Sequence, residues 1–332
     1  MNLYFSPLFY MFFLISSTIM VISSSSMFTL WLGLEINLMS FIPMMTMISE
    51  SKKNAEASIK YFLIQSISSS LVLFSFLWFF LFSSSSIWSS LSLILNIALG
   101  VKLGLAPFHM WFPEVMEGLS WMNSLILMTW QKISPMFIIS MVYNFKFMMF
   151  LALTSAMLGA ISGLNQVSMR KILAYSSISH MGWMISIMIL NSSIWVIYLI
   201  LYMLVSFMSC MSFWFLNLNF FSQMFFQKNN SMKILVFLNL LSTGGMPPLM
   251  GFTPKMFAFE IISSNFPILI ILMSSSLITL YFYTRLCISS FTLSQQNMKS
   301  NYKNKQKKLF YINSISGVIS ISGILPICLL VM

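Results

Sequence analysis

Long apolar stretches separated by short polar gaps dominate the chain. Each stretch runs for about 20 residues, the length that a helix needs to cross a hydrocarbon core of about 30 Å. The apolar residues do not alternate with polar ones as in a strand, and a helix satisfies its own backbone in lipid, so the stretches predict helices. They predict an all-α membrane protein with about eleven spans, near residues 5–23, 27–48, 55–82, 87–106, 120–142, 146–166, 168–190, 193–220, 233–262, 266–291 and 309–331.

The composition excludes a soluble domain. Only 7% of the 332 residues are charged, whereas a soluble domain carries about 25%. The formal net charge is +11, but the basic residues lie mostly in the gaps between apolar stretches. This arrangement is typical of membrane topology signals and predicts no nucleic-acid partner.

The basic residues predict the orientation of the spans. The gaps after odd-numbered spans contain a single basic residue, Lys146. Under the positive-inside rule the N-terminus lies on the positive side, which is the matrix if the membrane is mitochondrial, and the C-terminus lies in the intermembrane space. The run at 292–308 is a basic matrix loop, for which phospholipids such as cardiolipin are a secondary partner. Gaps after even-numbered spans contain Lys52, Lys53, Arg170, Lys171, Lys228, Lys233, Lys299, Lys303, Lys305, Lys307 and Lys308.

Four ionisable residues fall within predicted spans, away from both surfaces: Glu35, Lys102, Lys132 and Lys255. A charge at mid-membrane costs about 2.5–3.5 kcal/mol on insertion scales, so such residues indicate a functional site. Burial weakens the hold of a lysine on its proton, and a nearby carboxylate strengthens it again. The pattern therefore predicts a relay that loads and releases protons.

Three further residues are secondary candidates for the relay: Lys60, His109 and His180. Lys60, like Arg285, is close enough to a span end for its long stem to reach the surface instead. Each histidine titrates in the useful range but is equally explained as a hydrogen-bonded structural residue. No cofactor or metal site is expected, because the three cysteines have no ligand spacing and no glycine-rich dinucleotide motif is present.

Two stretches suggest an internal duplication. Leu99–His109 in the fourth span and Gly245–Lys255 in the ninth both interrupt an apolar run with glycine and proline and place a lysine at the break. An offset of five spans puts the two stretches in opposite directions through the membrane, as in an inverted repeat. The predicted regions are a first repeat at 1–145, an inverted second repeat at 146–291, the basic loop at 292–308, and a C-terminal span at 309–332.

Several motifs resemble those of the antiporter-like, proton-translocating membrane subunits of respiratory complex I. They are Arg170–Gly182 (RKILAYSSISHMG) and Lys102–His109 continued by Trp111–Val115 (WFPEV). Trp31–Asn37 (WLGLEIN), Glu56–Phe62 (EASIKYF) and Gly251–Lys255 (GFTPK) resemble the chain-2 branch of that family in particular.

The resemblance implies two inverted five-helix bundles, with Glu35 paired to Lys102, Lys132 as a central lysine, and Lys255 as a terminal lysine. It also implies a mitochondrial inner-membrane chain that contacts neighbouring antiporter-like chains and small supernumerary subunits. FMN, iron–sulfur clusters and ubiquinone would be bound elsewhere in the complex. A stand-alone cation/proton antiporter and a purely structural scaffold of the membrane arm are the alternative interpretations.

Overall fold

A computed structural model describes residues 7–48, 51–81, 85–190, 193–225, 230–292 and 317, and the regular elements in these ranges are helices. The one β-bridge in these ranges joins Ser168 to Phe220. The helices are α1 (Pro7–Ser23), α2 (Met27–Ile48), α3 (Lys52–Leu81), α4 (Ser85–Leu103), α5 (Trp111–Gly118), α6 (Trp121–Met128), α7 (Ile133–Met141), α8 (Phe145–Gly163), α9 (Met169–Leu190), α10 (Ile194–Leu216), α11 (Asn230–Gly244), α12 (Phe252–Ile262) and α13 (Phe266–Thr292).

These helices overlap the first ten predicted spans. Six of the described helices are long and apolar enough to cross a membrane, and three shorter ones are also apolar. The predicted loop at 292–308 and the predicted span at 309–331 lie outside the described residues, apart from Gly317. The membrane character and helical class of the chain are therefore clear, while the count of eleven spans stays a prediction.

The chain divides into two compact units, Met1–Ser155 and Ala156–Met332. The division falls ten residues beyond the boundary predicted for the two repeats, inside α8. In the first unit α1 packs on α2, α2 and α4 pack on α3, and the short helix α5 also packs on α3. This arrangement places α3 against three other helices of the unit.

The second unit is built around α9. Nearly every residue of α9 from Met169 to Ile189 is buried, and α10, α12 and α13 pack against it. A helix that is apolar and buried on all sides is a central helix rather than a lipid-facing one. The second unit therefore has a helical core around which its other helices are arranged.

Both predicted breaks end a helix in the same way. At the end of α4, Gly104 has φ of 69° and its amide bonds the Val101 carbonyl, while the Leu105 amide bonds the Gly100 carbonyl. At the end of α11, Gly245 has φ of 78°, and the corresponding bonds run from Gly245 and Met246. These are Schellman motifs, in which glycine adopts the left-handed conformation that other residues avoid.

A third break interrupts the segment that was predicted as one continuous span at 120–142. The helix stops at Thr129, continues as a short 3₁₀ turn over Trp130–Lys132, and resumes as α7. The Thr129 hydroxyl donates to the Leu125 carbonyl. A 3₁₀ turn within a helix often marks a functional position, and here it contains Lys132.

Candidate functional site

Lys102 and Lys132 line the same internal cavity of the first unit. Lys102 comes from the last turn of α4 and Lys132 from the 3₁₀ turn, and both are buried, with exposed fractions of 8% and 3%. The cavity has about 20 Å³ available to the centre of a water molecule. About 10–15 Å³ suffices for one water, so the two lysines line a cavity that can be hydrated. The other lining residues are Leu34, Asn37, Leu38, Tyr61, Gln65, Leu103, Trp111, Phe112, Leu127, Gln131, Ser134 and Pro135.

A hydrogen-bonded chain of neutral side chains runs along this cavity. The Tyr61 hydroxyl donates to Gln131 Oε1 at 3.3 Å, and Gln131 Nε2 donates to Asn37 Oδ1 at 3.2 Å. Asn37 Nδ2 then donates to the Ser134 hydroxyl at 3.3 Å. Gln65 Nε2 donates to the backbone carbonyl of Lys102 at 3.3 Å. These hydrogen bonds connect α2 and α3 to the interrupted segment that contains the 3₁₀ turn and α7. They give the cavity a polar wall.

The sequence reasoning did not single out these neutral residues. Asn37 lies within the Trp31–Asn37 motif and Gln131 precedes Lys132, but neither carries a charge. Tyr61 and Gln65 are four residues apart and therefore share one face of α3. Polar residues at helical spacing inside an apolar stretch were the signal that would have identified them.

Lys132 also packs against an aromatic ring. Its Nζ lies 5.5 Å from the centroid of the Phe112 ring, which forms part of α5. This distance is within the range of a cation–π interaction, which partly compensates a positive charge removed from water. The short helix α5 thus contributes directly to the surroundings of the central lysine.

Glu35 is half-buried on α2 and does not line the cavity. Its carboxylate acts electrostatically on Lys102. No salt bridge within 4.0 Å joins these two residues, whereas Lys60 forms one with Glu114. The expected Glu35–Lys102 pair is therefore an interaction at longer range than a salt bridge.

The structure places the two other candidates of the first unit apart from the cavity lining. Lys60 is about half exposed on α3, and its Nζ lies 2.6 Å from Glu114 Oε2. His109 is buried in the turn between α4 and α5. Lys60 thus lies on the surface of this chain, and His109 lies within the broken segment.

Lys255 lies at the break in the second unit. Its side chain is buried and its Nζ donates to the Gly244 carbonyl at 2.7 Å, at the end of α11. A Cβ at Gly245 would stand 2.9 Å from that Nζ. The last carbonyls of a helix carry partial negative charge, so the end of α11 provides the lysine with a neutral partner that favours its charged form.

His180 bonds the neighbouring carbonyl of the same helix end. Its Nε2 lies 3.0 Å from the Thr243 carbonyl and its Nδ1 lies 2.9 Å from the Tyr198 hydroxyl. Because a carbonyl only accepts, Nε2 carries the hydrogen and the neutral ring accepts from Tyr198 at Nδ1. Lys255 and His180 are thus fixed to adjacent carbonyls of α11.

Lys233 is a buried lysine that the sequence assigned to a surface loop. It lies in the first part of α11, and only 1% of it is exposed. Its position beside a polar gap predicted a residue at the end of a span, since the sequence shows only its proximity to that end. The burial arises from packing of other parts of the chain around α11.

These groups can hold and pass protons, and the described residues do not include a metal site. No group of three histidine, cysteine or acidic side chains that could bind a metal occurs among them. The buried groups are amines, an imidazole, amides and hydroxyls. Amines and imidazoles can gain or lose a proton, while the amides and hydroxyls can orient water between them.

Comparison with known proteins identifies the class. The family model described as "NADH:quinone oxidoreductase/Mrp antiporter, TM" matches residues 24–280. The fold is similar to that of a chain in respiratory complex I from Thermus thermophilus with bound aureothin, with a TM-score of 0.84, 20% identity, and coverage of 98% of this chain and 79% of that chain. A chain of the Mrp complex from Dietzia has a TM-score of 0.77 at 12% identity, covering 97% and 75%.

Curated relatives narrow the class to one family. The NADH-ubiquinone oxidoreductase chain 2 of Anopheles gambiae is 44% identical over 94% of this chain and 95% of its own length. That of Mus musculus is 38% identical over 87% of this chain and 88% of its own length. The chain belongs to the NADH-ubiquinone oxidoreductase chain 2 family.

Proposed function

We propose that the chain is a core membrane-arm subunit of mitochondrial NADH:ubiquinone oxidoreductase and carries protons across the inner membrane. The observation that supports this best is the cavity shared by Lys102 and Lys132, two buried lysines that line one water-sized space with polar side chains in its wall. Membership of the chain 2 family indicates that this complex is the assembly in which the chain works. Electrons would pass through other subunits, which would bind FMN, iron–sulfur clusters and ubiquinone.

Each charged residue has a proposed role. Glu35 acts on Lys102 through its field, so a change of charge at the edge of the subunit would alter the affinity of Lys102 for its proton. Water in the cavity would pass the proton between Lys102 and Lys132. Lys255 would exchange protons at the second break, where the Gly244 carbonyl stabilises its charged form.

The subunit would contact other membrane chains and lipids, and it would have a fixed orientation in the membrane. The partners would be neighbouring antiporter-like chains, small supernumerary subunits and phospholipids such as cardiolipin. The N-terminus would lie in the matrix and the C-terminus in the intermembrane space, because the basic gaps follow even-numbered spans. The predicted inverted repeat would give the two breaks equivalent roles in opposite directions, and the Schellman motif at each break supports it.

Substitution of Lys132 by methionine tests the relay. Methionine keeps the length and apolar stem but cannot hold a proton, so we expect the assembled complex to oxidise NADH with far fewer protons pumped per NADH. Pumping is measured as the pH gradient per NADH oxidised in reconstituted vesicles. The control is Lys146→Met, a substitution of an exposed lysine in the first turn of α8. Normal pumping by an assembled Lys132→Met complex would contradict the relay.

The antiporter alternative has a distinct outcome. A stand-alone exchanger would move cations against protons as a purified single chain in liposomes, without NADH oxidation. This alternative is tested because the family model that matches the chain includes Mrp antiporters in its description. Cation flux by the isolated chain, abolished by the same Lys132→Met change, would favour the alternative over the proposed subunit.

A further inference from the structure

The second unit contains a cavity that the proposed proton path does not use. It has a volume of about 340 Å³ and lies where the turn after α8, the turn after α10 and the last part of α13 meet. Two of its walls are the gaps after predicted spans six and eight, which belong to the basic side of the membrane. The lining residues are Gly163, Leu164, Asn165, Gln166, Val167, Ile172, Phe221, Phe225, Phe282, Arg285, Leu286 and Ser289.

The lining combines one cation with aromatic and amide groups. Phe221 and Phe225 pack edge to face with their centroids 4.9 Å apart, and Phe282 lines the cavity from α13. Arg285 is exposed, and Asn165 and Gln166 provide the amide groups. None of the described lining residues is acidic. The chemistry of this cavity therefore matches a ligand with both an anionic and an apolar part.

Arg285 is available for such a ligand. Within the described residues its guanidinium has no hydrogen-bond or ion-pair partner, whereas the guanidinium of Arg170 on the same side is bonded to Asn219 at 2.6 Å. A guanidinium provides five donors in a planar fork that matches phosphate oxygens. An unpaired arginine at the mouth of an aromatic cavity therefore indicates a phosphate-bearing ligand.

We propose that this cavity binds the headgroup and upper acyl chain of an anionic phospholipid. Arg285 would bind the phosphate, and Phe221, Phe225 and Phe282 would pack against the acyl chain. Basic cavities between membrane helices on the matrix or cytoplasmic side are typical sites for anionic lipid headgroups. The inference assigns a site in the second unit, and it does not depend on whether the buried lysines carry protons.

Photo-crosslinking in the assembled complex tests the site. The complex is reconstituted in nanodiscs with a trace of photoactivatable phosphatidylglycerol or, separately, photoactivatable phosphatidylcholine, and labelled peptides are mapped by mass spectrometry. One basic residue at the membrane surface gives about a fivefold preference for an anionic lipid. We therefore expect about fivefold stronger labelling of residues 163–167 and 221–225 by the anionic probe, with a preference that falls as salt increases.

Variants separate the arginine from the cavity itself. Arg285→Gln should reduce anionic labelling to the level of phosphatidylcholine, while Arg285→Lys should retain most of it. Lys146→Gln, a substitution on the opposite predicted side of the membrane, should leave the labelling by both probes unchanged. Equal labelling of the wild type by both probes would overturn the proposal, as would an unchanged preference in Arg285→Gln. Absence of lipid labelling, with crosslinks to a neighbouring subunit instead, would assign the cavity to a protein contact and also overturn it.

Discussion

Each of the two units buries a lysine at a broken helix, but the surroundings of the lysine differ between them. In the first unit Lys102 shares a cavity with Lys132, and amide and hydroxyl side chains line the space between helices. In the second unit Lys255 donates directly to the Gly244 carbonyl, and His180 bonds the adjacent Thr243 carbonyl. One lysine thus faces a space that can hold water, while the other is held by a helix end.

This difference predicts different sensitivities. A lysine in a cavity depends on the side chains that shape and polarise the cavity, because they orient water and neighbouring groups. A lysine bonded to a helix end depends on the backbone geometry of that end. Backbone substitutions should therefore affect the second unit most, and neutral polar substitutions should affect the first.

The largest difference is expected from alanine at the two left-handed glycines. Gly104→Ala adds strain of about 1–2 kcal/mol, with Phe112 Cβ at 3.2 Å from the new methyl group. Gly245→Ala adds the same strain and also displaces the Lys255 side chain, whose Nζ and Cδ would lie at 2.9 Å. Moving the flexible end of Lys255 breaks its hydrogen bond to the Gly244 carbonyl, and leaving a buried polar group unpaired costs about another 1–3 kcal/mol. Thermal unfolding of each variant measures the difference, and equal losses would contradict the closer fit at Gly245.

A smaller effect is expected from Asn37→Leu. The change removes the acceptor of Gln131 and the donor to Ser134, and leaving buried polar groups unpaired costs about 1–3 kcal/mol. We expect fewer protons pumped per NADH oxidised, since the polar wall of the cavity is interrupted. The control is Asn123→Leu, which removes a buried bond to the Met44 carbonyl away from the cavity lining. Similar pumping by both variants would show that the hydrogen-bonded chain is only structural.

The smallest effect is expected from Lys60→Met. Lys60 and Glu114 form an ion pair on the surface of the chain, with both side chains about half exposed, and exposed pairs contribute little to stability. Pumping should stay at the wild-type level, and Glu114→Gln should behave in the same way. A loss as severe as that of Lys132→Met would instead place Lys60 in the proton path.

Much of the fold was predictable because lipid imposes a simple rule on sequence. A helix must be apolar for about 20 residues to cross the membrane, so the first ten predicted spans overlap the observed helices. The breaks at Gly104 and Gly245 were predictable because glycine and proline interrupt an apolar run. The break before Lys132 was not predicted, although Pro135 lies four residues after Gln131, has no N–H to donate to the Gln131 carbonyl and crowds that carbonyl with its ring.

The site was predictable only in part. Charge alone identified Lys102, Lys132 and Lys255, because an ionisable side chain within a span has few structural explanations. The sequence did not reveal Asn37, Tyr61 or Gln131, which are ordinary polar residues until three helices bring them together. It also placed Lys233 in a gap between two spans, although that residue is buried.

The sequence by itself determined that the chain is a helical membrane protein with lysines inside its spans, since hydropathy and charge are local properties of the residues. Only the tertiary structure decided which of these lysines share a cavity, which one bonds a helix end, and that Glu35 acts on Lys102 from beyond salt-bridge distance. Those relations depend on contacts between helices far apart in the chain, and hydropathy carries no information about which faces of two helices meet.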